Sequence, residues 1–393
     1  MSEQEHVGAN CIRPQAARRA GPDRGRPLTI DDIRALELGA AILGTGGGGN
    51  PYIGRLRTEQ LLKSGRMLRL LAFEELRDDD VVVSVGGIGA PVIGIEKIEK
   101  GDECYQALRA VERAAQTQAT ALISGEIGGA NSMEPMITGA QAGLPVVDGD
   151  GMGRAFPELQ MCTFFIYGHR PAPAAVADEK GNHVVFTGAQ DMFWLERLAR
   201  NTTIDMGGAA GFALPPMSGA FIRRTAVPHT VTQAITLGYT VLNARRVKRN
   251  PVDAILDDCA GLRLFDGKIV DVNRRLARGF AVGQVQLDGL GADSGTRLTI
   301  DVQNENLIAR NKDPGDLSEG VPVATVPDLI CMVDLESGQP ITTEVLRFGL
   351  RVAVIGLPCH PLLRTPEALA VIGPRAFGYE LDYRPLRSQG GTS

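Results

Sequence analysis

Three carboxylates and an arginine lie in the segment VDGDGMGRAFPE, which follows a short apolar stretch. Asp148, Asp150 and Glu158 are the candidate catalytic residues, because carboxylates can exchange protons with a substrate or approach a metal ion. Arg154 lies between them and could bind a substrate carboxylate. Acids flanked by glycines are also typical of a capped turn with an arginine–carboxylate pair, so this structural interpretation stays open.

A glycine-rich segment, GTGGGGNP, provides a second candidate site. Its backbone N–H groups could bind an anion, which makes Gly46, Gly47, Gly48 and Asn50 candidate substrate-binding residues. The segment lacks the Lys-Ser/Thr pair of a phosphate-binding P-loop and follows a predicted helix instead of preceding one. A flexible loop is the alternative interpretation.

A second glycine-rich segment, GEIGGANS, follows a predicted strand. Glu126 and Asn131 are its polar members, and we take them as further candidate substrate-binding residues. Glycine is abundant throughout, at 48 of 393 residues, against roughly 7% in an average protein. The glycines cluster between apolar segments, which indicates binding sites lined by backbone.

Cys359 and His360 are the candidate metal ligands, in the segment PCHP. Adjacent residues of an extended segment point to opposite faces, so these two would not readily bind one ion together. One of them could contribute to a zinc site with distant partners. The sequence has no HExxH motif and no CxxC pair.

Most of the candidate residues follow short apolar segments that alternate with helical ones, so the predicted elements indicate where the candidates lie in the fold. Strands are predicted at 67–73, 81–85, 119–124 and 144–147, and helices at 104–116 and 133–142. The pattern predicts an α/β fold with a parallel sheet over residues 28–185 and a second, more β-rich α+β domain over 186–393. Ligands of parallel sheets bind at the carboxyl ends of strands, so we expect the glycine-rich segments to meet in one crevice.

Composition excludes several classes of protein. Lys and Arg total 41 and Asp and Glu total 46, which gives a net charge of −5 and no basic surface for a nucleic acid. We expect no membrane association, because no apolar segment reaches the roughly 20 residues of a membrane span. Residues 1–27 have no apolar signal region, so we expect a disordered leader and a cytoplasmic protein.

Six segments together resemble the DUF917 family, whose characterised members are S-methyl-thiohydantoin desulfurases. They follow the family's order over almost the whole predicted ordered chain. These segments are GTGGGGNP, GEIGGANS, VDGDGMGRAFPE, QNENL, PDLI and GPRAFGY. The resemblance implies an N-terminal and a C-terminal domain and a function in hydantoin-type ring catabolism, including the breakdown of ergothioneine-derived thiohydantoins.

The resemblance further implies a hydrolase that acts on a small five-membered cyclic imide or amidine. We expect metal-activated water to attack the ring carbon that carries sulfur, with zinc as the cofactor and His360 and Cys359 as its ligands. The glycine-rich segments would hold the ring. The alternative is a non-catalytic accessory subunit of a hydantoinase- or oxoprolinase-type complex. The expected partners are a small cyclic substrate and further copies of the chain in a homo-oligomer.

Overall fold

Two β-sheets organise the chain. The computed structural model describes residues 24–89, 93, 97–277, 280–313 and 318–386. Within these residues the first sheet has ten strands with a parallel centre, and the second has seven antiparallel strands in the C-terminal half. The predicted α/β class, with a parallel sheet followed by a β-rich region, is confirmed.

The regular elements are numbered in chain order. The strands are β1 (Arg26–Pro27), β2 (Arg69–Leu71), β3 (Val81–Gly89), β4 (Ala121–Ser124), β5 (Val146–Asp150), β6 (Ala174–Ala177), β7 (His183–Phe186), β8 (Ala209–Ala213), β9 (Met217–Ser218), β10 (Val227–Pro228), β11 (Leu262–Ala277), β12 (Phe280–Gly289), β13 (Arg297–Gln303), β14 (Glu305–Lys312), β15 (Val321–Thr325), β16 (Leu329–Asp334) and β17 (Arg351–Leu357). The α-helices of the described residues are α1 (Ile30–Leu43), α2 (Tyr52–Lys63), α3 (Glu103–Ala115), α4 (Glu134–Ala142), α5 (Thr163–Ile166), α6 (Met192–Asp205), α7 (Gly219–Thr225), α8 (Thr230–Arg246), α9 (Pro251–Cys259) and α10 (Pro366–Ile372). None of these helices combines the length and the apolar character of a membrane span.

The centre of the first sheet consists of β2, β5, β4 and β3, which are parallel neighbours in that order. Their residues are apolar in continuous runs because both faces are buried, as in the fully buried β4. Helices α3 and α4 return the chain from β3 to β4 and from β4 to β5. Parallel strands require such crossovers, which bring the three carboxyl ends to the same edge.

The first sheet continues beyond β3 through antiparallel strands. β8 pairs with the second half of β3, and β6 and β7 follow outward. The short strands β9 and β10 pair with β3 and β5. Because β8, β9 and β10 come after residue 186, this sheet extends past the predicted domain boundary at 185–186.

The first residues of the described chain are ordered. Arg24 forms an ion pair with Asp80 at 2.7 Å, and the strand Arg26–Pro27 pairs with β2. The predicted leader over 1–27 therefore ends earlier, and residues 1–23 lie outside the described part. Helix α1 begins with a capping box, in which the Thr29 hydroxyl accepts the backbone N–H of Asp32 at 3.1 Å and the Asp32 carboxylate accepts that of Thr29 at 2.9 Å.

Helices α1 and α8 pack at close range on the first sheet. A Cβ at Gly39 would lie 1.8 Å from the carbonyl oxygen of Ala234, and one at Gly238 would lie 1.8 Å from that of Ala35. Glycine is required at both positions because the two backbones are in contact. This pair holds α8 next to β5 and its loop.

The second sheet has the strand order β15-β14-β13-β12-β11-β17-β16. Strand β16 lies between two hydrophobic cores, that of the second sheet and the larger core of the first half. Successive side chains of a strand point to opposite faces, so β16 contributes to both. Leu329, Cys331 and Val333 pack in the larger core, and Ile330 and Met332 pack in the core of the second sheet. Two turns of the second half contact the first half. Asn306, after β13, donates its backbone N–H to the Thr45 carbonyl at 2.8 Å. The carbonyl of Asp328, just before β16, accepts from Arg154 at 2.8 Å.

Candidate functional site

A cleft of about 730 Å³ lies at the carboxyl ends of the parallel strands. Gly86 and Gly87 of β3, Gly125 after β4 and Met152 after β5 line it, as does the loop after α1. The predicted meeting of glycine-rich segments at one crevice is confirmed. The second sheet closes the cleft with Asn304 and Glu305, at the turn from β13 into β14.

The cleft opens where β3 extends beyond the end of its neighbour β4. β4 pairs with β3 only as far as Val85, while Gly86 to Gly89 continue along β8. The side chain of Asn131 pairs with the exposed edge instead. Its Oδ1 accepts from the backbone N–H of Gly87 at 2.6 Å, and its Nδ2 lies 3.3 Å from the Gly87 carbonyl oxygen.

Glu126 is a buried carboxyl group in the wall of the cleft. Asn131 Nδ2 donates to its Oε1 at 2.6 Å, and the backbone N–H of Phe156 donates to its Oε2 at 3.1 Å. Burial raises the pKa of Glu126 to about 7, although both hydrogen bonds favour the ionised form. A group with this pKa can accept and release a proton at neutral pH.

Glu305 is the second buried carboxyl of the cleft, with 2% of its surface exposed. Burial raises its pKa well above the usual range, and repulsion by Glu126 adds to the rise; Arg154 and the backbone amide of Gly48 oppose it. Its Oε2 has no hydrogen-bond partner within the described part of the chain. Two buried carboxyl groups with raised pKa values thus line one cleft, and one Glu305 oxygen is unpartnered among the described residues, as in sites that use carboxyl groups as an acid–base pair.

Sequence reasoning did not select Glu305. Its segment, QNENL, carried part of the family resemblance, but a lone acid near a predicted strand gave no chemical pattern. Gly47 lies directly against the Glu305 side chain, because a Cβ at this position would lie 2.0 Å from Glu305 Oε1. The glycine at this position makes room for the carboxyl group.

The loop after α1 contributes only part of its predicted set to the cleft. Gly48 and Asn50 line it, and Asn50 Oδ1 also accepts from the backbone N–H of Tyr52 at 3.0 Å. Among the described residues, Gly46 and Gly47 are not part of the lining. The backbone N–H of Thr343 donates to the Gly46 carbonyl at 2.7 Å, and Gly47 lies against the side chain of Glu305, so these two glycines join the loop to the second half.

Arg154 does not reach the cleft, which corrects its predicted role. It is fully buried, and each of its N–H groups has an acceptor. The acceptors are the carbonyl oxygens of Ala155, Pro327, Asp328 and Asn306 and the hydroxyl of Thr45, at 2.8 to 3.4 Å. A guanidinium has five N–H donors, so Arg154 has none left for a substrate carboxylate. It joins the two halves instead.

The two aspartates of the same segment also accept their hydrogen bonds from within the protein. Asp150 accepts backbone N–H groups from Ile127, Met152 and Gly153 at 2.7 to 3.1 Å. Burial raises the pKa of Asp150 to about 7 against these bonds. Asp148 accepts from the backbone N–H and the hydroxyl of Thr232 at 2.9 and 2.6 Å. Neither lines the cleft within the described residues, so these contacts favour the capped-turn interpretation.

Glu158 is the one predicted catalytic acid that lines the cleft. It is half-buried and accepts a hydrogen bond from the side chain of Gln160. Arg57, Glu99 and Glu134 form a charged group elsewhere in the cleft wall, which sequence reasoning also missed. Arg57 pairs with Glu99 and lies 3.9 Å from Glu134, and burial raises the pKa of Glu134 to about 7.

The expected zinc ligands do not fit a shared metal site. His360 Nδ1 accepts the backbone N–H of Leu362 at 3.3 Å, and the thiol of Cys359 accepts from Arg364 Nε at 3.4 Å. Burial raises the pKa of Cys359 to about 11, which opposes the thiolate form that binds zinc. Across the described ranges, no three His, Cys, Asp or Glu side chains are grouped to hold a metal ion.

A second depression, of about 850 Å³, lies on the surface between α8, α9 and the second sheet. Most of its charged groups have protein partners; for example, Arg263 pairs with Asp253 and Asp266, and Arg245 donates to the carbonyl of Ser337. The cleft, with its unpartnered carboxyl oxygen, is the stronger candidate for a ligand site.

Two family models together match almost all of the described chain. Residues 31–188 match the family description "S-Me-THD-like, N-terminal domain", and residues 190–386 match "S-Me-THD-like, C-terminal domain". A crystal structure of a protein from Chromobacterium violaceum is similar to 92% of this chain and 100% of its own, with 25% identity and a TM-score of 0.74. None of the curated proteins compared with the chain matches it significantly.

Proposed function

The chain belongs to the S-Me-THD-like family, the S-methyl-thiohydantoin desulfurase-like proteins, and we propose that it hydrolyses the ring carbon–sulfur bond of a thiohydantoin or S-methyl-thiohydantoin. The observation that carries the proposal is the pair of buried carboxyl groups, Glu126 and Glu305, in the wall of one cleft. Ergothioneine-derived thiohydantoins are the first substrates to test.

Glu126 acts first, as the general base. Its ionised form takes a proton from water while the water oxygen bonds to the ring carbon that carries sulfur. Glu305, which is protonated, gives its proton to the ring nitrogen as the carbon–nitrogen double bond becomes single. The product of this step is a tetrahedral carbon that bears both a hydroxyl and the methylthio group.

Collapse of the tetrahedral carbon completes the reaction. The carbon–sulfur bond breaks, and the departing methanethiolate takes the proton held by Glu126. The hydroxyl proton passes to Glu305 as the carbon–oxygen double bond forms. Both carboxyl groups are thereby restored, and the net reaction converts ring and water to a hydantoin and methanethiol; a thiohydantoin would release hydrogen sulfide instead.

Arg57 is the residue that would meet an anionic substituent of the ring. Unlike Arg154, it lines the cleft, and its carboxylate partners other than Glu99 lie at 3.9 to 4.0 Å. A guanidinium with N–H groups not held in close hydrogen bonds can form a bidentate pair with a carboxylate.

The test is release of sulfide or methanethiol by the purified chain and by E126Q and E305Q. Loss of a general acid or base lowers kcat by about 10²- to 10⁴-fold. The matched control is E37Q, because burial also raises the pKa of Glu37, which lies outside the cleft and pairs with Arg55. We expect E37Q to keep full activity.

Two results would count against the proposal. Wild-type turnover that survives in both E126Q and E305Q would remove the acid–base pair from the reaction. A chain that releases no sulfur product alone, but is required for turnover by an added hydantoinase-type subunit, would favour the accessory role.

A further inference from the structure

Glycines of the cleft fall into two groups that differ in what surrounds them. In the first group a Cβ would collide with protein: at Gly48 it would lie 2.3 Å from the carbonyl oxygen of Gly128, and at Gly151 it would lie 2.1 Å from Cys162 Sγ. Glycine at these positions is explained by packing alone.

Gly125 belongs to the second group. A Cβ there would meet only one protein atom within 4 Å, the Oγ of Ser84 at 3.4 Å, which is an ordinary contact distance. Its φ angle lies outside the left-handed region. Neither packing nor backbone conformation within the described residues therefore requires glycine at this position, although it lies on the cleft wall beside Glu126.

An independent observation indicates that the cleft binds a polar group. Glu305, in the same cleft, has 2% of its surface exposed, and its Oε2 has no partner in the described part of the chain. Buried polar atoms are almost always hydrogen-bonded, so an unpartnered one in a cleft wall calls for a ligand or an ordered water.

We infer that Gly125 is a specificity-determining position, where the planar five-membered ring lies with one face against the backbone and a Cβ would occupy its place. The inference deepens the proposed function and rests on it for the identity of the ring. Gly86 and Gly87 extend the same surface, but a Cβ there would lie 3.2 and 3.4 Å from Asn131 Oδ1. Substitutions at these two would disturb the amide that holds Glu126.

The experiment compares G125A with wild type in two measurements: binding of hydantoin, the ring of the product, by calorimetry, and turnover of S-methyl-thiohydantoin. We expect G125A to fold normally and to weaken hydantoin binding by about 10- to 200-fold, as expected for one misplaced methyl group in a fitted pocket. The control is G188A, because a Cβ at the exposed Gly188 meets no atom within 4 Å.

A double variant separates lost ring space from a disturbed Ser84. If the effect came from the contact with Ser84 Oγ, S84A/G125A would bind hydantoin as S84A does, and the inference would be overturned. If the methyl group occupies the ring's place, S84A/G125A stays as weak as G125A.

The outcomes distinguish this inference from the proposed function. If wild type turns over S-methyl-thiohydantoin, and G125A binds hydantoin and turns over the substrate as well as wild type does, the inference is overturned and the proposed function stands. Hydantoin binding by wild type that is lost in G125A, with no release of any sulfur product, supports the inference and overturns the desulfurase. A wild-type chain that neither binds hydantoin nor turns over the substrate overturns both.

Discussion

Two groups of buried acids lie at the same edge of the first sheet, and they differ in how their oxygens are used. Asp148 accepts a backbone N–H from Thr232 of α8, and Asp150 accepts backbone N–H groups from the loops after β4 and β5. Glu126 and Glu305 line the cleft, and one Glu305 oxygen lacks a partner among the described residues. The two aspartates of the richer charge pattern thus stabilise the fold, while the sparser pair, Glu126 and Glu305, is available for chemistry.

Arg154 provides the strongest test of this contrast. Replacing it with methionine leaves buried carbonyl groups without donors, and each unsatisfied buried acceptor costs about 1 to 3 kcal/mol of the free energy of unfolding. We expect R154M to be destabilised by at least this amount or to be insoluble, measured by urea unfolding. R57M, in the cleft, should change the KM far more than the stability. Stable R154M protein that fails to bind substrate would restore the predicted clamp.

Asp150 is expected to show the next largest effect. An asparagine would turn an NH₂ group toward backbone N–H donors that now share two carboxylate oxygens. The loss of charge-assisted bonds to buried donors costs about 2 to 3 kcal/mol. We expect D150N to melt earlier while its folded fraction keeps its turnover. D150N protein that melts like wild type but is inactive would make Asp150 a catalytic residue after all.

The sequence predicted the position of the site better than its members. Continuous apolar strands separated by helices require parallel pairing, so the meeting of the strand ends followed from periodicity alone. Glu126 and Asn131 were found because they directly follow such a strand. Asp148 and Asp150 were overvalued because a sequence does not show which backbone N–H groups are already paired with a carboxylate.

Glu305 could not be found by the same reasoning. It comes from the second sheet, and its place in the cleft depends on how β14 lies against the loop after α1, where Asn306 donates its backbone N–H to Thr45. No local pattern encodes a contact between distant segments of different sheets. The saturation of Arg154 likewise depends on carbonyl groups from the turn before β16, which are distant in sequence.

Glu126 leads to a third prediction, which compares how the stabilities of wild type and E126Q depend on pH. Its pKa is about 7 in the folded chain and about 4.3 when unfolded. Between pH values of about 4.3 and about 7 the folded state binds more protons at Glu126 than the unfolded state does. The free energy of unfolding therefore falls as pH rises through this range, by on the order of 3 kcal/mol in total. E126Q cannot ionise, so we expect it to be more stable than wild type at pH 8 and similar near pH 4, measured by urea midpoints.

The control for this comparison is E367Q, an exposed site on α10, which should follow wild type at both pH values. An E126Q midpoint that moved in parallel with wild type from pH 4 to 8 would mean that Glu126 ionises normally. In that case it would be ionised throughout the neutral range and would be a weaker base than the mechanism requires.

His360 should show the smallest effect of all. Its ring accepts one backbone N–H, from Leu362 at 3.3 Å, so H360A should cost less than about 1 kcal/mol of stability. Because the ring does not line the cleft, we expect turnover and the metal content of the purified protein to be unchanged, measured by assay and elemental analysis. Loss of both a bound metal and turnover in H360A, with E126Q still active, would transfer the chemistry from the cleft to the Cys359–His360 segment and restore the zinc expectation.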